Sequence, residues 1–472
     1  MSKARFVSAS ALVVALGWAL PAQAQSANNA AVQQELAAMR AQMQRMAERI
    51  DTLEAQLNTA NAKADAATEA AASATSAATT ATAAAAKAPP VTVNWKGAPE
   101  LVADGGWSFK PRGRLQADIG GISAPGGLSG GNNSHLGVST EMRRLYLGFD
   151  GTMPGNFGYR IEADFGGAIA ANSTVTMTDV YLYYKASRNL TLTLGQHKPF
   201  GGLEEMTSDL FTSMLERTSF TSAFNFERRL GVSATYATDS LIVQGGVFTD
   251  DLAALNADTA KNWSVDGRIV AMPKLGKGTL HLGVSAHYRD LNGSTTTVQY
   301  RVRPFLHTTD VRLVDTGTFV ASGERNFGAE LAYISGRFHA TAEGHMLTAL
   351  RPGQPDPTFW GGYAEVGFLL TDDETAYKAG VYERIKPKHP VGQGGLGAFQ
   401  INARYDTIDL TDAGRNGGRQ QTAALSLVWM PIDYVRFIAN YGHIWLNGAA
   451  VTAAGDPNYS ADAFGMRAQL DF

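Results

Sequence analysis

Lys110, Arg112 and Arg114 stand two residues apart. In an extended strand such residues share one face, each about 6.8 Å from the next. Arg144, beside Tyr146 and Asp150, and Arg160 carry the same charge on the polar parity of the two runs that follow. A row of fixed cations makes and breaks no bonds. Along a water-filled path it lets an anion step from site to site, provided each site binds well enough to admit the ion and weakly enough to release it. Arginine suits phosphate, because its planar donor fork matches the oxygens and stays charged. The same residues have a plainer use, since Asp118, Asp150, Glu162 and Asp164 can pair with them and hold a wall together. Arg301 and Arg303 also share a face and read as a solvated strand end.

Positioning such a row requires strands. From Trp107 to Phe472, short alternating runs follow one another, each ended by a Gly, Asn, Asp or Pro cluster. Phe109, Pro111, Gly113, Leu115, Ala117 and Ile119 oppose Lys110, Arg112, Arg114, Gln116 and Asp118. Phe464, Met466, Ala468, Leu470 and Phe472 form an apolar face up to the last residue, so this strand must tie its end into something. No segment after the first 24 residues has the length and apolarity of a membrane helix. In lipid only helices and closed barrels satisfy every backbone polar group. About 365 residues, at roughly 23 per strand with its connection, give about 16 strands around an aqueous lumen. A soluble sandwich, β-helix or propeller would bury its apolar parity in a single core and seldom makes so many such runs. The expected fold is an all-β transmembrane barrel of about 16 antiparallel strands, the last closing on the one around residues 110–118. An N-terminal α-helical coiled coil precedes it.

The upstream residues divide into three. Residues 1–24 read as a secretory signal: Lys3 and Arg5, an apolar stretch to Leu20, then Ala22-Gln23-Ala24. Residues 25–90 read as a helical arm. Val32, Leu36, Met39, Met43, Met46, Ile50, Leu53 and Leu57 are spaced by fours and threes, the seam of a left-handed coiled coil. The register continues on alanines from Ala60, where a low-complexity linker fits as well. Pro89-Pro90 ends the helix. Residues 91–106 read as a linker, and 107–472 as the barrel. Export without a single cysteine excludes disulfides and thiolate metal sites. A formal net charge of -3 carries no sign of nucleic-acid binding.

The run Leu194-Gly195-Gln196-His197-Lys198-Pro199-Phe200-Gly201-Gly202-Leu203-Glu204 resembles a segment of the phosphate-selective porin O/P family. Leu215-Glu216-Arg217, Arg228-Arg229-Leu230-Gly231-Val232, and Phe368 to Glu374 with Ile385-Lys386-Pro387 are similar to later blocks, in order. Thr371-Asp372-Asp373 and Ala398-Phe399-Gln400 depart from the family pattern. The resemblance implies a trimeric outer-membrane porin of 16 strands, with a long third loop folded into the lumen. The segment near 199–226 is its candidate, too long for a turn. Lys198 at its entrance, Arg217 within it, and Arg228 and Arg229 at its exit join the anion-path set.

Other motifs carry less. Gly392-Gln393-Gly394-Gly395-Leu396-Gly397 spells G-x-G-x-x-G but precedes a strand pattern, not a helix. Asp372-Asp373-Glu374 reads as an acidic turn rather than a calcium loop. No cofactor motif is present. A barrel-embedded hydrolase built from His281, Ser285 and His287 is the rival from another class. The expectation is a homotrimeric porin in the bacterial outer membrane, amid lipid and lipopolysaccharide, and not an enzyme. It would pass small anions, phosphate or phosphorylated solutes first. A general non-selective porin remains open, as does a structural anchor whose periplasmic arm meets peptidoglycan or another partner.

Overall fold

The computed structural model describes residues 25–87, 91–129, 136–169, 174–224, 226–255, 262–292 and 296–472; the expected signal segment 1–24 and Pro89-Pro90 lie outside them. Two units divide at Pro90. In the first, α1 runs from Gln25 to Lys87. It contains neither glycine nor proline and is dominated by alanine, the strongest helix former. Its threonines return their hydroxyls to the preceding turn, as in Thr52 to the Glu48 carbonyl at 2.7 Å, so they cost the helix little. The seam side chains from Val32 to Leu57 are all exposed in the single chain.

The second unit is a closed barrel of 16 antiparallel strands. These are β1 (Trp107–Ser123), β2 (Ser139–Met153), β3 (Phe157–Asp164), β4 (Thr176–Lys185), β5 (Leu190–His197) and β6 (Arg229–Ala237). Then come β7 (Leu241–Thr249), β8 (Trp263–Ala271), β9 (Gly278–Asp290), β10 (Gly323–Ser335) and β11 (Phe338–Leu350). Last are β12 (Thr358–Leu369), β13 (Ala398–Asp412), β14 (Arg415–Ile432), β15 (Val435–Asn447) and β16 (Tyr459–Asp471). Each pairs with the next, and β16 returns to β1 with Leu470 opposite Leu115 and Asp471 opposite Arg114. Phe472 completes the seam: its N–H donates to the Gly113 carbonyl at 3.0 Å, and Gly113 N–H donates back at 3.2 Å. Closure leaves no unpaired sheet edge in lipid.

Parity holds around the wall. Leu194, Val232, Val284, Phe327, Leu425 and Phe464 face outward, whereas Gln116, Asp266, Asn402 and Arg467 are buried inside. Aromatic pairs sit at the strand ends, such as Phe157 with Tyr184 at 4.9 Å and Trp429 with Phe437 at 5.3 Å. Apart from the long β12–β13 segment and the tight β13–β14 turn, tight turns occupy one end of the barrel and longer connections the other, which identifies the periplasmic and outer ends.

Three features depart from the simple pattern. A β-bulge where β1 meets β2 pairs Gln116 with Arg144 but Ala117 with Met142, so Arg143 is an extra residue. The segment expected as a linker contains a hairpin, Val91–Trp95 paired with Pro99–Ala103, whose second strand pairs with the start of β1. At the tight-turn end, β12 and β13 are joined by the long segment 370–397, which turns inward. The interior is therefore only half open. Leu215, Phe220 and Phe224 of the β5–β6 connection and Leu306 and Leu313 of the β9–β10 connection form an apolar core against β11–β16.

At the closure, a Cβ on Gly113 would lie 2.2 Å from the Phe472 ring. Gly113→Val should weaken the seam by about 1–3 kcal/mol, the usual cost of overpacking. The expected outcome is a lower temperature for the unfolding mobility shift in detergent gels. Gly245→Ala, whose Cβ would meet nothing nearer than 3.9 Å, should leave it unchanged.

Candidate functional site

A cavity of about 1530 Å³ runs along the half of the lumen bounded by β1–β5. Parity brings Lys110, Arg112, Arg114, Arg144 and Arg160 to its wall, and the inward loop adds Lys198, Arg217 and Arg228. Arg229 stands apart: it is buried and donates to Ser264 Oγ at 3.3 Å, facing β8. Most of these cations hold carboxylates. Arg112 spans Asp150 at 2.9 Å and Glu162 at 3.0 Å. Arg160 meets Asp150 at 3.2 Å, and Arg228 meets Asp179 at 2.6 Å. Lys110 makes no ion pair within 4.0 Å among the described residues.

The loop between β5 and β6 crosses the lumen and is held from both sides. Asp209 lies between Arg114 and Arg144, with Arg144 Nε at 2.6 Å. Burial would raise the Asp209 carboxyl, but the two guanidiniums hold it well below the usual carboxylate range. Glu216 accepts from Arg143 Nε at 2.8 Å and from Arg467 at 2.8 Å. Arg404 joins Glu204 at 3.0 Å to Glu365 at 2.8 Å. The loop backbone is stitched down as well: Asp406 accepts Ser219 N–H at 2.8 Å, and Arg436 donates to the Leu210 carbonyl at 2.7 Å. Arg217 acts within the loop, donating to the carbonyls of Glu204 at 3.2 Å and Thr207 at 3.0 Å. Gly202 permits the close seat, since a Cβ there would fall 1.5 Å from Glu343 Oε1.

The docked loop hides an acidic wall. Asp266, Glu330, Glu343 and Glu365 on β8–β12 are buried and outside the cavity lining. Four histidines sit among them, each on a carboxylate: His281 on Glu330, His287 on Asp266, His339 on Glu365 and His345 on Glu343. Segment 370–397 closes the same wall from below, with Tyr377 on His281 and the Gly380 carbonyl accepting from Arg268 at 3.0 Å. Ser285 hydrogen-bonds neither His281 nor His287 among the described residues, so no nucleophile–base pair forms there.

Sequence reasoning missed several lining residues. Strict alternation turns Arg143 toward lipid; the bulge turns it inward with Arg144. Arg301 and Arg303, expected as a solvated strand end, line the cavity together with Arg312. They come from the β9–β10 connection, which crosses the outer mouth and presses Leu306 against Gly120 and Gly465 of β1 and β16. Burial, with Arg303 and Arg301 alongside, lowers the Arg312 guanidinium to about 10. Arg384 and Lys386 reach the periplasmic end from 370–397. Among the described lining residues, fifteen are Lys or Arg and twelve are Asp or Glu, so the path carries a positive surplus.

Lys198 gives the site a pH signature. Burial lowers its ammonium to about 8, and Arg217 beside it adds to the effect against Glu205 at 2.7 Å. Its ordinary value is 10.5, so the folded chain gives up this proton first, and folding gains stability as pH rises between about 8 and 10.5. The path meanwhile loses one positive charge. Anion preference in planar bilayers should fall between pH 7 and 9, and Lys198→Arg, which keeps its charge, should remove that fall.

Comparison with known proteins agrees with this architecture. The family model described as phosphate-selective porin O and P matches residues 109–472. A protein of Caulobacter vibrioides is 41% identical over 392 residues, covering 81% of this chain and 78% of its own. Porin O of Pseudomonas aeruginosa is 26% identical over 389 residues, covering 74% and 86%. Among solved structures, OmpT of Vibrio cholerae superposes with a TM-score of 0.52 at 12% identity, over 79% of this chain and 99% of its own. The anion-selective porin from Comamonas acidovorans gives 0.50 at 12% identity, over 78% and 100%; at such identity both show the fold alone. A closed 16-stranded wall, a lumen narrowed by an inward loop and a family match across the whole barrel make this chain a bacterial outer-membrane porin, a channel rather than an enzyme, belonging to the phosphate-selective porin O and P family.

Proposed function

We propose that the porin passes small anions by diffusion, with phosphate or phosphorylated solutes preferred. The observation that carries this reading is the division of the lumen: the inward loop and segment 370–397 cover the carboxylates of β8–β12 and leave the basic wall of β1–β5 lining the cavity. An anion entering the outer mouth meets Arg301, Arg303 and Arg312, then the rows from Arg144 to Lys110, then Arg384 and Lys386. Many of these cations are paired, which keeps each site weak enough to release its ion. Lys198, Arg217, Arg228, Arg160, Arg144, Lys110, Arg112 and Arg114 form the proposed path, while Arg229 takes a wall-bracing role. The family's own description supports the same reading.

The remaining assignments belong to this proposal. Residues 1–24 act as the export signal, 25–90 as a periplasmic arm and 107–472 as the porin barrel. The exposed seam of α1 from Val32 to Leu57 supports a homotrimer, because a heptad stripe needs neighbouring copies to bury it.

Reversal potentials across a planar bilayer in a KCl gradient test the charge preference, and block of chloride current by added phosphate tests the ligand. Anion preference with phosphate block is expected. Cation preference overturns the whole reading, and anion preference without block leaves a general porin. Lys110→Ala and Arg301→Ala, which remove charges held in no ion pair within 4.0 Å among the described residues, should each move the reversal potential toward zero without changing the unfolding temperature.

A further inference from the structure

The barrel's closure leaves a step in its wall. β1 starts at Trp107, but on its β16 side pairing begins only at Gly113. The exposed edge below that point is taken by the hairpin of residues 91–103, with Leu101 opposite Phe109, Val102 opposite Ser108 and Ala103 opposite Trp107. The hairpin's turn also fits its place. Gly97 has φ +82°, and a Cβ there would lie 2.5 Å from the Tyr434 ring in the β14–β15 turn. The hairpin thus fills the corner between the start of β1 and that turn.

It has the two-sidedness of the wall. Paired residues in a sheet share a face. The register therefore sets Val93, Leu101 and Phe109 in one row, and Val91, Ala103 and Trp107 in the next. Phe109 belongs to the lipid-facing parity of β1 and packs on Phe149 at 5.4 Å. Val91, Val93 and Trp95 continue that face, with 52%, 59% and 74% of their surfaces exposed. On the other side Lys96 pairs with Glu100 at 2.8 Å and lines the channel's periplasmic end. A free linker has no reason to keep apolar and polar residues on the same sides as the neighbouring barrel strand.

We propose that the hairpin of residues 91–103 is a membrane-embedded patch of the barrel wall, with the row Val91, Val93 and Trp95 docked on lipid of the periplasmic leaflet. Lipid is the occupant that the register requires, because this face is continuous with the lipid-facing surface of β1 and β2. Tryptophan at the hairpin's end suits the headgroup level, where its ring is apolar and its N–H finds polar partners.

The absence of cysteine makes the test direct. Val93→Cys and Trp95→Cys report the outward row, Thr92→Cys the opposite face, and Leu147→Cys a lipid-facing position on β2. Each full-length variant is labelled with an environment-sensitive fluorophore and folded into phosphatidylcholine vesicles. Probes at 93 and 95 should match the one at 147, with blue-shifted emission, quenching by brominated acyl chains and little quenching by aqueous iodide. The probe at 92 should show the reverse. Iodide quenching at 93 and 95 equal to that at 92 overturns the proposal, because the hairpin then lies in water. Protection of both from both quenchers overturns it too, because a second copy then covers the row.

Discussion

Three carboxylates of the inward loop carry the architecture of the pore. Asp209, Glu216 and Glu204 are each claimed by arginines rising from distant parts of the wall: Arg114 and Arg144, Arg143 and Arg467, and Arg404. A charge in such a buried site tolerates no loss of partner, which typically costs about 3–5 kcal/mol. The loop therefore has one place to sit. With the loop held there, its apolar residues Leu215, Phe220 and Phe224 pack on the far wall.

That placement decides what water sees. The chain as a whole is slightly acidic, with a net charge of -3, yet the lining of the path carries a surplus of cations. Nothing in bulk composition separates these two statements. The difference is position: carboxylates of β8–β12 are spent on histidines and on Arg268 and Arg404 beneath a lid of polypeptide, while Arg112, Arg114, Arg144 and Arg160 line the open path. The channel's sign is set by occlusion more than by abundance.

Legibility in the sequence followed the range of the interactions. The wall was legible because side chains in a strand alternate with a period of two whatever their partners; chain length then set the strand count, and the demand that every backbone polar group be satisfied in lipid set the β16–β1 closure. The lumen cations from Lys110 to Arg160 were legible for the same reason. Arg143 was not, because a bulge breaks the parity by one residue and only the pairing of β1 with β2 reveals it. Asp209 lies in no alternating run, and its meaning depends on two arginines far away in the chain. Arg301 and Arg303 read as a solvated strand end and Arg312 carried no signal, because the path of their connection across the mouth is decided by Leu306 against Gly120 and Gly465, far away in the chain. The hairpin ahead of β1 was too short to separate from a linker.

The step at the closure has a consequence for the order in which the barrel is made. Two partners share one edge of β1, but they use different parts of it: the hairpin takes residues 107–109, and β16 with Phe472 takes 113–123. The hairpin finds its place through neighbours a few residues away, and β16 finds its own only after the whole barrel lies between. Loop closure is cheap for the first and costly for the second. The hairpin can therefore zip onto β1 early and blunt the lower edge of the first strand, without standing in the way of the last one. A nascent sheet with half of its leading edge already covered has less to offer a stray chain while it waits to close.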